Sequence, residues 1–202
     1  MHVIKHRVNS VGMSCDALLL AQELIVFGSY AVGVSDSDSD IDVLTVGPHT
    51  RIARSGLDLI SVSPERIRSS EWLGSELASH ISVYGVWIRG EGSWKELTAL
   101  SKRAELVKAR RIERLVSGLQ KAWSRLHPVF HCRYRLSVRR ELQRLDLLSQ
   151  KIAVPPGAIL DSYWRNCATY QKRIVELSES LNIDSRVLRF VLQQILASQC
   201  IS

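Results

Sequence analysis

Two neighbouring apolar segments, each meeting chemically useful residues, constrain this chain more than any other stretch. Leu24-Ile25-Val26-Phe27 runs straight into Gly28-Ser29, and after a polar loop the pattern resumes as Ser39-Asp40-Ile41-Asp42-Val43-Leu44. A short apolar run that stops at Gly-Ser predicts a buried strand delivering a sharp turn. Glycine lets a backbone approach a bulky ligand, and turn amides entering a helix favour anions. In Asp40-Ile41-Asp42 the period of a strand sends both carboxylates to one face and Ile41 into the core. Adjacent carboxylates repel unless a cation sits between them. Magnesium takes a few carboxylates together with phosphate oxygens, so the segment predicts metal-assisted handling of a nucleoside triphosphate.

Asp36, Asp38, Asp40 and Asp42 all alternate, and several pairs could fill that role. Asp40 and Asp42 are preferred because Ile41 and Val43 continue into Leu44 as a buried strand. Asp36 and Asp38 stand among serines and read as a solvated loop. A two-metal reaction needs a third carboxylate. Asp58, between Leu57 and Leu59 in the next apolar run, is the candidate; the plainer reading is an edge-strand aspartate facing water. Glu65, just after Pro64, is the fallback and reads better as the start of a short helix. Gly28 and Ser29 suit the β- and γ-phosphates, through backbone amides and the serine hydroxyl. Against that stands a simple strand-to-helix turn capped by Ser29. No Gly-x-x-x-x-Gly-Lys-Ser/Thr loop occurs, which argues against a P-loop enzyme.

Gly28-Ser29-x-Ala31-x-Gly33, five residues, then Ser39-Asp40-Ile41-Asp42 resembles the signature of the polymerase-β-like nucleotidyltransferase superfamily. The likeness is to its small bacterial members and the aminoglycoside nucleotidyltransferases. It covers residues 24 to 46 closely and runs more loosely to about residue 90, through Leu77-Ala78 and Tyr84-Gly85-Val86-Trp87. The resemblance implies a Mg²⁺-dependent enzyme that uses two ions to move a nucleoside monophosphate from an NTP donor to a hydroxyl. It makes Asp40, Asp42 and Asp58 the metal ligands and catalytic residues, with Asp58 helping to deprotonate the acceptor. Val32 stands where many relatives carry arginine, which removes one phosphate contact. The acceptor stays open between RNA or tRNA, a small molecule and a protein hydroxyl. The rival is a non-catalytic nucleotide- or RNA-binding module of the same fold.

Hydrophobic residues make up 46% and charged residues 23% of the 202, as in an ordinary globular protein able to bury a core. No apolar run reaches membrane-spanning length, and the start lacks a secretory pattern; a cytoplasmic protein is expected. Cys15, Cys132, Cys167 and Cys200 have no paired spacing and read as reduced, mostly buried thiols. His127, His131 and Cys132 do not complete a zinc set, and Pro128 suggests a turn between helices. The net charge of +7 favours an anionic partner and mildly disfavours a polycationic aminoglycoside.

The sequence predicts α/β (α+β) architecture: a small mixed-sheet catalytic domain over 1–92 and a helical domain over 93–202. Expected elements are a helix over 15–23, strands over 24–28, 41–46, 57–62 and 83–88, and a helix over about 74–81. Ser93-Trp94-Lys95-Glu96 reads as a capping box opening a long helix to His127-Pro128. Its apolar positions are Trp94, Leu97, Leu100, Ala104, Val107, Leu115, Leu119, Ala122 and Leu126. Helical patterns over 133–151, 159–181 and 185–199 complete a four-helix bundle. Arg103, Arg110, Arg114, Lys121 and Arg125 form a stripe about 60° wide on the long helix. It is either a rail for a triphosphate or nucleic-acid backbone, or a solvated face pairing with acids such as Glu113. Arg133, Arg135, Arg139, Arg140 and Arg144 add charge on the next helix. Trp94, Trp123 and Trp164 read as core, and Tyr30 as a possible lining of the nucleotide pocket.

Overall fold

The computed structural model describes residues 18, 20–37, 39–47, 52–54, 56–162 and 167–196, with side chains outside 52–54, 162 and 167–171. The chain divides into two compact units, 1–100 with 153–159, and 101–152 with 160–202. The first unit's main segment reaches Leu100, and Trp94 is 2% exposed within its core.

The first unit is built on a five-stranded mixed sheet of order β3-β4-β2-β1-β5. Its strands are β1 (Glu23–Phe27), β2 (Ile41–Val46), β3 (Ile52–Arg54), β4 (Leu57–Val62) and β5 (Val86–Arg89). β2 and β4 match the expected spans; β3 is the short edge strand the sequence reading misses, and it pairs antiparallel with β4. β1 runs antiparallel to both β2 and β5, while β2 and β4 are parallel. Alternation gives each face its own apolar layer. Ile25, Phe27, Leu44, Val46 and Val62 pack under Ile67, Trp72, Ala78, Ile81 and Trp94. Leu24, Ile41, Val43, Leu57 and Leu59 form the opposite layer, with Tyr30 packed against it.

A one-turn helix, α1 (Gly28–Ala31), follows β1. Beyond β4 come α2 (Pro64–Ile67), α3 (Ser70–Leu73) and α4 (Glu76–Tyr84). Ser63, Ser69 and Ser75 cap them in turn, their hydroxyls accepting from the amides of Arg66, Trp72 and Ala78. Each cap satisfies an amide that a helix start leaves unpaired. α4 starts and ends later than expected, so Tyr84 closes a helix instead of opening a strand. Glu23 accepts from the indole nitrogens of Trp87 (3.2 Å) and Trp94 (3.0 Å), tying the segment after β5 to β1.

Near the end of the first unit's main segment the expected capping box is overturned. Ser93–Leu97 forms a 3₁₀ turn, and the long helix α5 (Lys102–Ala122) starts at Ser101, whose hydroxyl accepts from the Ala104 amide. Gly92 at the turn's entry is left-handed (φ +63°), and a Cβ there would lie 2.4 Å from Trp87 Nε1. α6 (Pro128–Ser149), α7 (Gly157–Ser162), α8 (Cys167–Ser180), α9 (Ser185–Phe190) and a π turn (Val191–Leu196) follow. His127 caps α6, and His131 stacks on Trp123 at 4.2 Å. Cys132 is exposed rather than buried. The side chains of the other three cysteines and of Trp164 lie outside the described residues.

The buried face of α5 also differs from the apolar pattern. Leu97 and Val107 are 64% and 56% exposed, whereas Glu105, Lys108, Ala109, Ile112, Val116 and Leu119 are buried. Two charges can share that face because each meets its counterion. Lys108 Nζ lies 2.9 Å from Glu141 Oε2, and Glu105 takes Lys102 and Lys151, each at 2.6 Å. Burial tends to raise the Glu141 carboxyl, but Lys108, Arg144 and Arg111 outweigh it and hold the group below its ordinary range. Buried charges survive only when paired in this way.

Candidate active site

The end of β1 and the starts of β2 and β4 bring the predicted residues together. Phe27 is opposite Asp42 in the antiparallel pair, and Asp42 is opposite Asp58 in the parallel pair. Strand alternation therefore sets Asp42 and Asp58 side by side on one face, while Ile41 (2% exposed) and Leu57 (fully buried) anchor the other. Both carboxylates are half-buried. Asp58 is thus neither on an edge strand nor turned wholly to water, since β4 lies between β3 and β2.

Gly28 is required by the same geometry. It is buried with φ +72°, and a Cβ there would stand 1.9 Å from Asp42 Oδ2. Only a residue without a side chain lets the backbone of α1 lie against that carboxylate in the left-handed region. Ser29 follows in the first turn of α1, partly exposed, and its carbonyl accepts from the Val34 amide at 3.1 Å.

Asp40 occupies a different position. It is exposed just ahead of β2, and its Oδ1 accepts from the Gly56 amide at 2.7 Å, fastening the entry of β2 to the entry of β4. Sequence reasoning had no signal for this bond beyond the glycine that makes the turn. Asp36 closes a separate local turn with Ser39, whose hydroxyl donates to Asp36 Oδ1 at 2.7 Å. Glu65 lies in the first turn of α2, as its fallback reading implied.

The electrostatics show negative charge in excess. Burial, then the carboxylate of Asp58, then that of Asp40, push Asp42 up from 3.8 to about 6. Asp58 Oδ1 is buried and accepts no hydrogen bond among the described residues. An orphaned buried oxygen beside a carboxylate whose ionised form is disfavoured by burial and like charge is a donor set suited to a hard divalent cation. Among the described residues no three His, Cys, Asp or Glu side chains are gathered into a ready cage. A cation there would therefore complete its shell with phosphate oxygens and water, as magnesium does.

The model of the nucleotidyltransferase domain family matches residues 14–117, about half of the sequence. The chain belongs to that family. The match spans β1 to β5 and hence every residue of the site. No curated protein matches the sequence. Among solved structures, similarity extends to a crystal structure of a toxin-antitoxin with AMP-PNP. It is 20% identical with a TM-score of 0.29, over 54% of this chain and 88% of that one. A nucleotidyltransferase-like protein from Exiguobacterium sibiricum 255-15 is 13% identical with a TM-score of 0.35, over 95% and 76%. The family assignment rests on the sequence match. No helix among the described residues of this nucleotidyltransferase-domain protein is long and apolar enough to cross a membrane.

Proposed function

We propose that this protein is a cytoplasmic, Mg²⁺-dependent enzyme that moves a nucleoside monophosphate from an NTP to a hydroxyl acceptor and releases pyrophosphate. The observation that carries the reading is the pairing of Asp42 with Asp58 beside a glycine whose Cβ the Asp42 carboxylate excludes. In this reading the sheet unit carries the chemistry.

Asp42, Asp58 and the remaining oxygen of Asp40 would hold two Mg²⁺ ions. Bound there, the metal supplies charge neutralisation for the triphosphate and a lowered pKa for the acceptor hydroxyl. The Gly28 amide and Ser29 hydroxyl hold the β- and γ-phosphates. Asp58 Oδ1, free of hydrogen-bond partners among the described residues, takes the acceptor's proton. The new oxygen–phosphorus bond forms as the bond to the bridging oxygen breaks and pyrophosphate leaves with that electron pair. Alignment and charge stabilisation provide most of the acceleration.

The test is a screen of each labelled NTP with Mg²⁺ against tRNA, aminoglycosides and cell protein, following pyrophosphate release and the destination of the label. Asp40→Asn and Asp42→Asn should each abolish transfer while circular dichroism stays unchanged. Undiminished transfer by Asp42→Asn would refute the assignment. Nucleotide binding without pyrophosphate release for any acceptor would favour the non-catalytic module.

A further inference from the structure

The helical unit carries a surface that the donor site does not use. Arg103, Arg110, Arg114, Lys121 and Arg125 are all exposed. At 100° per residue the stripe lies about 170° from the buried face of α5, so packing within the unit does not account for it. Glu113, the acid on its flank, instead accepts from the Asp184 amide at 3.3 Å. Arg114 Nε donates to the Arg110 carbonyl at 3.3 Å, laying that side chain along the stripe. Gly118 stands on the same face between Arg114 and Lys121, and a Cβ there would meet nothing within 4 Å. Four of the five arginines of α6 contrast sharply: Arg135 and Arg139 donate to the carbonyls of Gln194 and Ile195, Arg140 pairs with Asp161, and Arg144 with Glu141. Those charges hold the unit together.

At its far end the stripe adjoins an open cleft of about 420 Å³, lined by Gln120, Trp123, Arg186, Arg189, Phe190 and Gln193 among others. Side-chain amides and guanidinium groups beside Phe190 offer hydrogen bonds and apolar contact to an unstacked base. From Arg110 to Lys121 the helix rises about 16 Å, a length over which a stacked strand carries about five phosphates. A row of one sign at that spacing, leading into an amide- and aromatic-lined cleft, suits a polynucleotide better than a compact anion.

We propose that the exposed face of α5, with the cleft at its end, is a binding surface for single-stranded RNA. Arg110, Arg114 and Lys121 on α5, with Arg125 on the 3₁₀ turn (Trp123–Arg125) that follows it, contact phosphates spaced along the strand, and the cleft receives a base. This goes beyond the donor site and holds whether or not that site is catalytic.

The test is fluorescence anisotropy of the full chain with labelled single-stranded RNA of about 20 nucleotides, between about 50 and 200 mM salt. DNA of the same sequence and polyglutamate are the parallel arms. Four phosphate contacts on a single strand predict a log–log salt slope near about −2.8, so affinity should fall about 50-fold across that range. The quadruple variant Arg110→Gln, Arg114→Gln, Lys121→Gln, Arg125→Gln should keep the wild-type melting temperature and lose that salt dependence. Gln120→Ala with Gln193→Ala should weaken RNA binding and leave the slope intact. The proposal is overturned by no RNA binding at the lowest salt, by wild-type affinity in the quadruple variant, or by polyglutamate binding as tightly as RNA. Tighter binding of DNA than RNA would also overturn the choice of strand.

Discussion

Replacing Asp42 by asparagine tests whether the carboxylate cluster stores electrostatic strain in the absence of metal. The side chain keeps its shape and loses its charge. In the folded protein, burial and the neighbouring Asp58 and Asp40 raise this carboxyl from 3.8 to about 6. The folded state therefore holds the proton more tightly than the unfolded chain, so this group costs stability as pH rises from about 4 through about 6. A rise of that size corresponds to about 3 kcal/mol. The carboxylate is only half-buried, and solvent screening reduces the figure to about 1.5 kcal/mol. Urea denaturation in chelator should accordingly show Asp42→Asn more stable than wild type by about 1.5 kcal/mol at pH 8. At pH 4 most of that gain should vanish, because the folded wild-type group is then already protonated. Adding Mg²⁺ at pH 8 should stabilise the wild type and not the variant. Equal stability at pH 8, or a loss, would refute the reasoning.

Three further outcomes follow from packing. Gly28→Ala puts a Cβ 1.9 Å from Asp42 Oδ2 at φ +72°; it should cost at least about 2 kcal/mol in denaturation and displace the carboxylate, removing the Mg²⁺-dependent rise in melting temperature. Glu141→Gln removes the carboxylate that meets Lys108 and Arg144 and should cost about 3 to 5 kcal/mol. Lys108→Met with Glu141→Leu should recover most of that loss, and additive losses in the double-mutant cycle would contradict the pairing. Trp94→Ala empties a site 2% exposed that also donates to Glu23; a loss of about 3 to 5 kcal/mol should be measurable in urea, and a loss below about 1 kcal/mol would mean the turn does not belong to the sheet core.

The sequence by itself determined two of the sheet's inner strands and the turn that ends β1. Ile41–Val46 and Leu57–Val62 are apolar runs with one aspartate each at the second position, and the strand period sends that side chain to the face opposite Ile41 and Leu57. Gly28-Ser29 ended β1 where an apolar run met a residue free to adopt positive φ. Local rules reach this far because strand period and turn chemistry are properties of adjacent residues. Tertiary structure alone decided which face of α5 is buried, since Glu105 and Lys108 enter the core only through counterions as far along the chain as Glu141 and Lys151. It also decided where that helix begins, because Trp94 finds its partners at Glu23, Trp72 and Trp87. The tie from Asp40 to the Gly56 amide belongs to the same class. Each depends on a contact between segments distant in the chain, whose energy no periodicity within a single segment records.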